Sequence, residues 1–443
     1  MRSEGCVGGS SNVGCVRRST EIGSVQVPFA GRRNVDNAMS TVSQKYRVQD
    51  LARFGGTKTF DRVRGTPNLV RPDIEKVLNY SHEFFEARRY TNGGPLVRKL
   101  EARLALLHGV KHCVAFSNAF WAIVTTIRSL SIDGRTELVM PSLTYRRLAD
   151  IVSWTGLTPH FCEVNPETLA MDPKFAIKAV NERTALLLSP HPIVNNCDIA
   201  GMEELSQQTG IPLVFDSVES AMETYRGKMI GGFGRAECFS MHSSKLLNGF
   251  EGGYVTTNDG ALAEQLAYIR GFGFADEDKV VALGLNAKLN EVHAAMAHAA
   301  IDDLPDQIER NKKRYHAYRS LLENLREIRL LEFDADERRC FKSIVVELLD
   351  SWPLSRSETI DLLHAEGALV RPYYSPPQHL KKMAYATICE DLHETERLAE
   401  RFLLLPCGEH VDEEDIRQVV DLLVFMRGHS TEIRAAFAGG ARS

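Results

Sequence analysis

Short apolar runs alternate with helical patterns through the middle of the chain. Leu96, Leu100, Leu104 and Leu107 recur at the spacing of one helix face. Apolar runs then follow with helical patterns between them: "HCVAF" (112–116), "ELVM" (137–140), "ALLLS" (185–189) and "PLVFD" (212–216). Short apolar strands that alternate with helices are typical of α/β proteins with a mostly parallel central sheet flanked by helices. We predict that fold class here.

The pattern changes after about residue 288. A long, polar helical pattern over 289–325 leads into the strand-like run "FKSIVVELL" (341–349), a helix near 358–366, the loop "RPYYSPPQH" (371–379) and a last helix over 413–426. This order predicts a smaller α+β domain. We therefore expect a large domain over 46–310, a small C-terminal domain over 311–430 and a tail over 431–443.

Residues 1–45 differ in composition from the rest of the chain. They are rich in Gly, Ser and Arg and have no apolar periodicity, which predicts a disordered N-terminal extension. Translation from Met39 is the alternative.

Composition and charge disfavour several classes of protein. The 443 residues carry a net charge of −5 without a basic run, which disfavours nucleic acid, and no apolar run is long enough to span a membrane. The nine cysteines are scattered without a CxxC pair. This spacing predicts a reduced, cytoplasmic protein without a metal site.

Candidate chemistry lies directly after the predicted strands. In open α/β sheets, ligands bind beyond the carboxyl ends of the strands. The residues at these positions are Ser117, Asn118 and Ala119 after "HCVAF", Tyr145 after "ELVM", Asp216 and Glu219 at and after the end of "PLVFD", and Ser240 and Lys245 within and after "ECFSM" (237–241). If the strands are neighbours, an anion site, an aromatic ring, a carboxylate and a lysine converge on one edge.

Pyridoxal phosphate (PLP) needs all four of these groups. Its phosphate suits a helix N-terminus, its ring suits an aromatic face, its ring nitrogen an acidic partner, and its aldehyde a lysine that forms a Schiff base. Each residue alone has a plain structural explanation, such as a helix cap or a solvated charge; the combination in this order is informative. Other nucleotide and hydrolase motifs are not completed: "GGFG" (231–234) and "GFGFAD" (271–276) do not form GxGxxG, and neither GxxxxGK[ST] nor GxSxG occurs.

From about residue 50 to 430 the sequence resembles the DegT/StrS sugar aminotransferases, a family of fold-type-I PLP enzymes. The resemblance rests on "TNGGPLVRKLEARLALLHGVKHCVAFSNA" (91–119), "ELVMPSLTY" (137–145), "EVNPETLAMDP" (163–173), "PLVFDSVESA" (212–221), "FSMHSSKLLNGFEGGYVTTND" (239–259), "LNAKLNEVHAAMA" (285–297) and "RPYYSPPQH".

The resemblance implies a role for each matching residue. It implies the following set of cofactor-binding residues: Ser117, Asn118, Ala119, Tyr145, Asp216, Glu219, Ser240, Lys245 and Asn286. Within that set, Lys245 would form the Schiff base and act as catalytic acid and base, and Asp216 would hold the pyridinium. Asn286 would reach the phosphate of the neighbouring subunit in a homodimer. Arg371 and Tyr373 would face the substrate.

Two departures from the family pattern put the substrate in question. Phe120 stands where the family usually has Thr, which removes a hydroxyl from the phosphate loop. Glu219 stands where the family usually has Gln or His, near the ring oxygen of the cofactor. A carboxylate beside that oxygen is unfavourable unless one group is protonated, so we expect Glu219 to have a raised pKa or to point elsewhere.

The sequence therefore predicts a PLP-dependent aminotransferase. It would move an amino group, from glutamate, onto a keto group of a nucleotide-activated sugar or related polyol through a Lys245 Schiff base. A PLP-dependent dehydratase-like enzyme and a non-catalytic binding or regulatory homologue are the alternatives. The expected pathway is polysaccharide or natural-product biosynthesis.

Overall fold

The computed structural model describes residues 45–276 and 278–440. The prediction of a disordered extension over 1–45 lies, apart from Lys45, outside the described residues.

The described chain alternates strands and helices. Its α-helices are α1 Ile74–Ala87, α2 Pro95–His108, α3 Ala119–Leu130, α4 Leu148–Trp154, α5 Pro173–Ala179, α6 Ile199–Thr209, α7 Gly260–Arg270, α8 Glu291–Asp302, α9 Leu304–Leu322, α10 Arg356–Ala365, α11 His393–Ala399, α12 Glu413–Gly428 and α13 Ser430–Gly440. Its strands are β1 Arg64–Gly65, β2 His112–Phe116, β3 Glu137–Pro141, β4 Thr158–Cys162, β5 Thr184–Pro190, β6 Leu213–Asp216, β7 Thr224–Tyr225, β8 Lys228–Met229, β9 Ala236–Ser240, β10 Gly253–Thr257, β11 Phe274–Asp276, β12 Lys279–Val280, β13 Ile328–Leu330, β14 Ile344–Leu348, β15 Ala368–Leu369, β16 Arg371–Pro372, β17 Ile388–Cys389 and β18 Phe402–Leu405.

Eight strands form the central sheet, in the order β17-β4-β3-β5-β6-β9-β10-β2. The strands pair in parallel except β10, which runs antiparallel to both β9 and β2. Strands β3, β5 and β6 are buried at every position. Because both faces are covered, these strands read as continuous apolar runs. The predicted α/β fold class is confirmed.

Successive residues of the central strands belong to two different cores. Val139 and Phe215 pack into the core on one face of the sheet, whereas Leu138 and Val214 pack into the core on the other face. This alternation follows from the two-residue period of a strand. The carboxyl ends of β2, β3, β5, β6 and β9 lie at one edge of the sheet, because these strands point in the same direction.

A four-stranded antiparallel sheet, in the order β13-β14-β18-β16, follows in the C-terminal part. Tyr318 of α9, Val345 of β14, Leu403 of β18 and Val419 of α12 share its core. The boundary predicted at residue 310 falls inside α9 and stays a prediction.

The structure differs from the sequence interpretation at several points. The long helix expected over 289–325 is two helices, because the chain breaks at Asp303 and Pro305 occupies the first turn of α9, where its missing N–H costs nothing. Strands β4 and β18 were not predicted. Helix α13 lies where only a tail was expected.

Candidate active site

The carboxyl edge of the central sheet opens into a cavity of about 1070 Å³. Seven of the nine residues predicted to bind the cofactor line this cavity: Asn118, Ala119, Tyr145, Asp216, Glu219, Ser240 and Lys245. The other two lie outside its lining. The Ser117 N–H donates to Ala287 O at 2.7 Å, and the Asn286 side chain accepts from Lys288 Nζ at 2.6 Å.

A helix N-terminus forms one wall of the cavity. Asn118 caps α3 by accepting from the Trp121 N–H at 3.0 Å, and the first N–H groups of the helix make such a position favourable for an anion. Gly253 of β10 passes directly beneath this loop, where a Cβ would lie 2.4 Å from Ala119 N. Only glycine allows this approach, so Gly253 shapes the anion site. The buried Ser240 adds a hydroxyl at the end of the adjacent strand.

Phe120 directs its ring into an aromatic cluster instead of supplying the hydroxyl of the family pattern. Its ring centroid lies 5.2 Å from that of Trp121 and 6.2 Å from that of Trp154, both edge to face. Phe120 and Trp154 also line the cavity. The substitution therefore exchanges a polar contact for an apolar wall.

Asp216 ends β6 with its carboxylate buried at the cavity. The carboxylate accepts from the Val218 N–H at a long 3.3 Å. Burial raises the pKa of Asp216 to about 6, although the Val218 N–H and the Lys245 charge act in the opposite direction. A buried carboxylate with so little hydrogen bonding suits a cationic N–H group as its partner.

Lys245 and a second lysine both donate to Glu219. Lys245 Nζ contacts Oε1 of Glu219 and Lys342 Nζ contacts Oε2. Burial alone would raise the pKa of Glu219, but the two ammonium charges outweigh burial and hold this pKa well below its usual range. Of the two expectations for Glu219, a raised pKa is therefore wrong for the cofactor-free protein, because it considered an anionic neighbour and omitted these two cations; the other, that the carboxylate points away from the ring oxygen of the cofactor, stays a prediction.

Several cavity residues were missed or misplaced by the sequence interpretation. Arg371 lines the cavity, but Tyr373 is buried behind it and its neighbour Tyr374 lines the wall instead. Arg146 and Arg147 also line the cavity. The doublet directly after Tyr145 is the sequence signal that could have identified them. Lys342, which contacts Glu219 but is not part of the cavity lining, has no comparable signal in the sequence.

A family model of the DegT/DnrJ/EryC1/StrS aminotransferase family matches residues 73–424. The chain belongs to this family. The protein is therefore a PLP-dependent aminotransferase, and the predicted family, enzyme class and cofactor are confirmed.

Similar proteins cover most of the chain. The dTDP-4-amino-4,6-dideoxy-D-glucose transaminase of Shigella dysenteriae is 24% identical, over 81% of this chain and 96% of its own. The UDP-N-acetyl-3-dehydro-alpha-D-glucosamine 3-aminotransferase of Acidithiobacillus ferrooxidans is 29% identical, over 74% of this chain and 87% of its own. A solved structure of DesI in the presence of its TDP-sugar product is 33% identical, with a TM-score of 0.82, and the match covers 88% of this chain and 100% of DesI.

The cavity of this chain fits PLP. The N-terminus of α3 would hold the phosphate, in the space that Gly253 leaves open. Tyr145 would contact the ring, and Asp216 would meet the ring nitrogen. Lys245 would bind the aldehyde. When bound, PLP supplies an electron sink for the carbon that gains or loses the amino group.

Proposed function

We propose that this aminotransferase moves an amino group from glutamate to a keto group of a nucleotide-activated sugar or a related polyol. The observation that carries the proposal is the position of Lys245. Its Nζ contacts Glu219, and Lys245 lines the same cavity as the buried Asp216 and the first residue of α3. Lys245 would hold the cofactor between turnovers and would move the proton between the reacting carbon and the cofactor.

Positive charge at the cavity mouth supports an anionic acceptor. Arg147 pairs with Asp150 at 2.9 Å. Within residues 45–276 and 278–440, the side chains of Arg146 and Arg371 have no carboxylate partner, although both line the cavity. Guanidinium groups bind phosphate oxygens in pairs, so these arginines suit the diphosphate of a nucleotide-activated sugar.

The cavity also suits the uncharged parts of such an acceptor. Its volume is sufficient for a sugar and part of a nucleotide. Phe120 and Trp154 offer an apolar wall, and Asp150, Glu251 and His242 offer hydrogen-bonding groups to hydroxyls. The relatives named above are transaminases of nucleotide-linked sugars, which supports the same substrate class here.

The acceptor reaction can be measured directly. The purified protein, loaded with PLP, is incubated with glutamate and a panel of dTDP-, UDP- and GDP-linked keto-sugars, and the amino sugar is detected by mass spectrometry. We expect product with at least one nucleotide sugar. Product that forms only from keto acids would overturn the proposed acceptor class.

Matched lysine variants separate chemistry from folding. Lys245→Ala should abolish product, whereas Lys111→Ala should leave product unchanged, because Lys111 is exposed and precedes the amino end of β2, the end opposite the one that leads to the cavity. Equal loss in both variants would contradict the role of Lys245. The presence of Lys245 also favours transamination over the dehydratase-like alternative, in which the family usually replaces this lysine.

We propose further that the protein is a homodimer. Helix α1 exposes Ile74, Leu78 and Phe85 at 62%, 49% and 62% of their surface, and exposed apolar faces of this size are typical of interfaces. Asn286 would then reach the phosphate site of the other subunit. Sedimentation equilibrium should give twice the chain mass, and Ile74→Glu together with Phe85→Glu should give a monomer.

We place the protein in the cytoplasm, where nucleotide-activated sugars would be its substrates. The cysteines within the described part of the chain are free thiols, which fits a reducing compartment. In that same part, none of the helices combines the length and the apolar character that crossing a membrane requires.

A further inference from the structure

Two ion pairs, one buried and one partly buried, join the segment after β6 to the segment before β14. Glu219 pairs with Lys342, and Glu223 pairs with Arg339 at 3.1 Å. Both pairs bridge residues more than one hundred positions apart. Because charges are costly to bury without a partner, the pairs fix the position of residues 217–223 against the C-terminal part.

The two pairs differ in what else they contact. Glu223 and Arg339 are each only 3% exposed and do not line the cavity, and Glu223 also accepts from the Cys340 N–H at 3.3 Å. Glu219 lines the cavity and gives its second oxygen to Lys245. The Glu223 pair is thus purely structural, whereas the Glu219 pair is connected to the reacting lysine.

Lys342 is connected to the active site through its contact with Glu219. Its side chain is 7% exposed, it is not part of the cavity lining, and within residues 45–276 and 278–440 its carboxylate partner is Glu219. The family pattern has a neutral Gln or His where this chain has Glu219. A carboxylate at this position needs a permanent counter-ion whenever Lys245 is uncharged, and Lys342 provides one.

We propose that Lys342 is a positioning residue of the active site, which holds Glu219 in place and offsets its negative charge, so that the carboxylate does not trap the proton at the Lys245 nitrogen. Glu219 then works as a fixed anionic acceptor and does not itself carry the proton. The proposal rests on the proposed function only through the bound PLP, and it is independent of the acceptor.

Other titratable and charged groups lie near Glu219 and Lys342: Asp216 and Glu223 on the segment of Glu219, Arg339, Cys340 and Cys407 near Lys342, and Tyr373 and Tyr374 around the cavity. Each of them is present in all of the variants below, apart from the Arg339 control, so their contribution cancels between variants.

The test is a pH titration of the visible absorption of bound PLP, which changes when the proton at the Lys245 nitrogen leaves. Lys342→Met removes a positive charge, so the proton should be held to higher pH and the midpoint should rise by about 1 unit. Glu219→Gln removes a negative charge and should lower the midpoint by about 1 unit. The double variant should return close to the wild-type midpoint, since both charges are absent.

Control variants distinguish this role from packing. Lys342→Arg keeps the charge and should keep the midpoint. Arg339→Met breaks the neighbouring structural pair and should lower the melting temperature without moving the midpoint. If Lys342→Met alone does not fold, Glu219→Gln and the double variant still test the proposal, because the first should titrate below the wild type and the second should return close to it.

Three results would overturn the proposal. Lys342→Met could leave the midpoint unchanged, Arg339→Met could move it as far as Lys342→Met does, or the double variant could titrate like one of the single variants. Because the readout needs neither donor nor acceptor, a failed acceptor assay would overturn the proposed substrate class and leave this result untouched.

Discussion

Glu219 and Glu347 are both carboxylates held between two cations, but they lie in regions of different chemistry. Glu347 of β14 accepts from Arg329 at 2.6 Å and from Arg401 at 2.8 Å in the C-terminal sheet. Glu219 accepts from two lysines at the edge of the central sheet. Arginine stays charged at any pH that a protein tolerates, whereas a buried lysine can lose its proton.

The difference separates a structural ion network from a reactive one. Arg329 lies directly opposite Glu347 across the pair of strands β13 and β14. That network therefore holds the two strands in register, and neither arginine gives up a proton. At the cavity, Lys245 has to give up its proton to react, and Glu219 has to remain an anion when it does. The choice of lysine or arginine therefore indicates which network takes part in chemistry.

The largest effect, on activity, should come from replacing the reacting lysine by arginine, the residue that the structural network uses. Lys245→Arg keeps the ion pair with Glu219 but removes the amine that can react, so activity should fall by at least about 10³-fold. The melting temperature of the cofactor-free protein should change little, because the charge pair remains. Transaminase activity and thermal unfolding measure the two effects. Residual activity within about tenfold of the wild type would contradict the comparison.

The second-largest effect should come from Asp216, because its charge makes the stability of the folded protein depend on pH. Its pKa of about 6 in the cofactor-free protein exceeds the usual value near 3.9. The folded protein then keeps a proton that the unfolded chain releases, so stability falls as pH rises from about 4 to about 6. Asp216→Asn removes this cost and should stabilise the cofactor-free protein by about 3 kcal/mol well above pH 6.

The measurement for Asp216 is the free energy of unfolding of both proteins between pH 4 and pH 8. The two curves should meet at the acid end and separate as the pH rises. A difference that is constant across this range would show that packing, and not the charge of Asp216, controls stability here. The same variant should lose transaminase activity, because an amide cannot pair with a cationic ring nitrogen.

Glu347→Gln should have a smaller effect, confined to stability. The variant removes the negative charge that lies between two guanidinium groups, and we expect a loss of about 1–2 kcal/mol. The visible spectrum of bound PLP and its pH midpoint should stay unchanged, in contrast to Glu219→Gln. A shifted midpoint in Glu347→Gln would remove the distinction between the two networks.

The smallest effect should follow from Arg401→Lys. Arg401 also pairs with the exposed Asp350, and an ammonium cannot serve both carboxylates with the same geometry. We expect a loss of less than about 1 kcal/mol, because these charges are partly screened by solvent. Urea unfolding at low and high salt measures it, with the loss decreasing at high salt.

The sequence predicted those elements whose pattern is local. Strands β2, β3, β5 and β6 were expected within one or two residues of their ends, because strands buried on both faces are continuous apolar runs. Strand β4, "TPHFC", contains Thr158, Pro159 and His160 and resembles a loop in composition. Its strand conformation depends on pairing with β3, which no local pattern encodes.

The candidate site divides in the same way. Residues that directly follow strands, such as Asp216 and Lys245, were predicted because parallel strands bring their carboxyl ends together. Lys342 was not, because its partner Glu219 is 123 positions away and only the folded chain brings them into contact. The pKa direction of Glu219 was wrong for this same reason.

The central claim is that Lys245 and its neighbours form a transaminating site. The most direct test is the visible absorption spectrum of the purified PLP-loaded protein before and after glutamate is added. We predict that the band of bound PLP converts to that of the pyridoxamine form, with one equivalent of 2-oxoglutarate released per chain. A band that stays unchanged with glutamate and with every other amino donor would contradict the account.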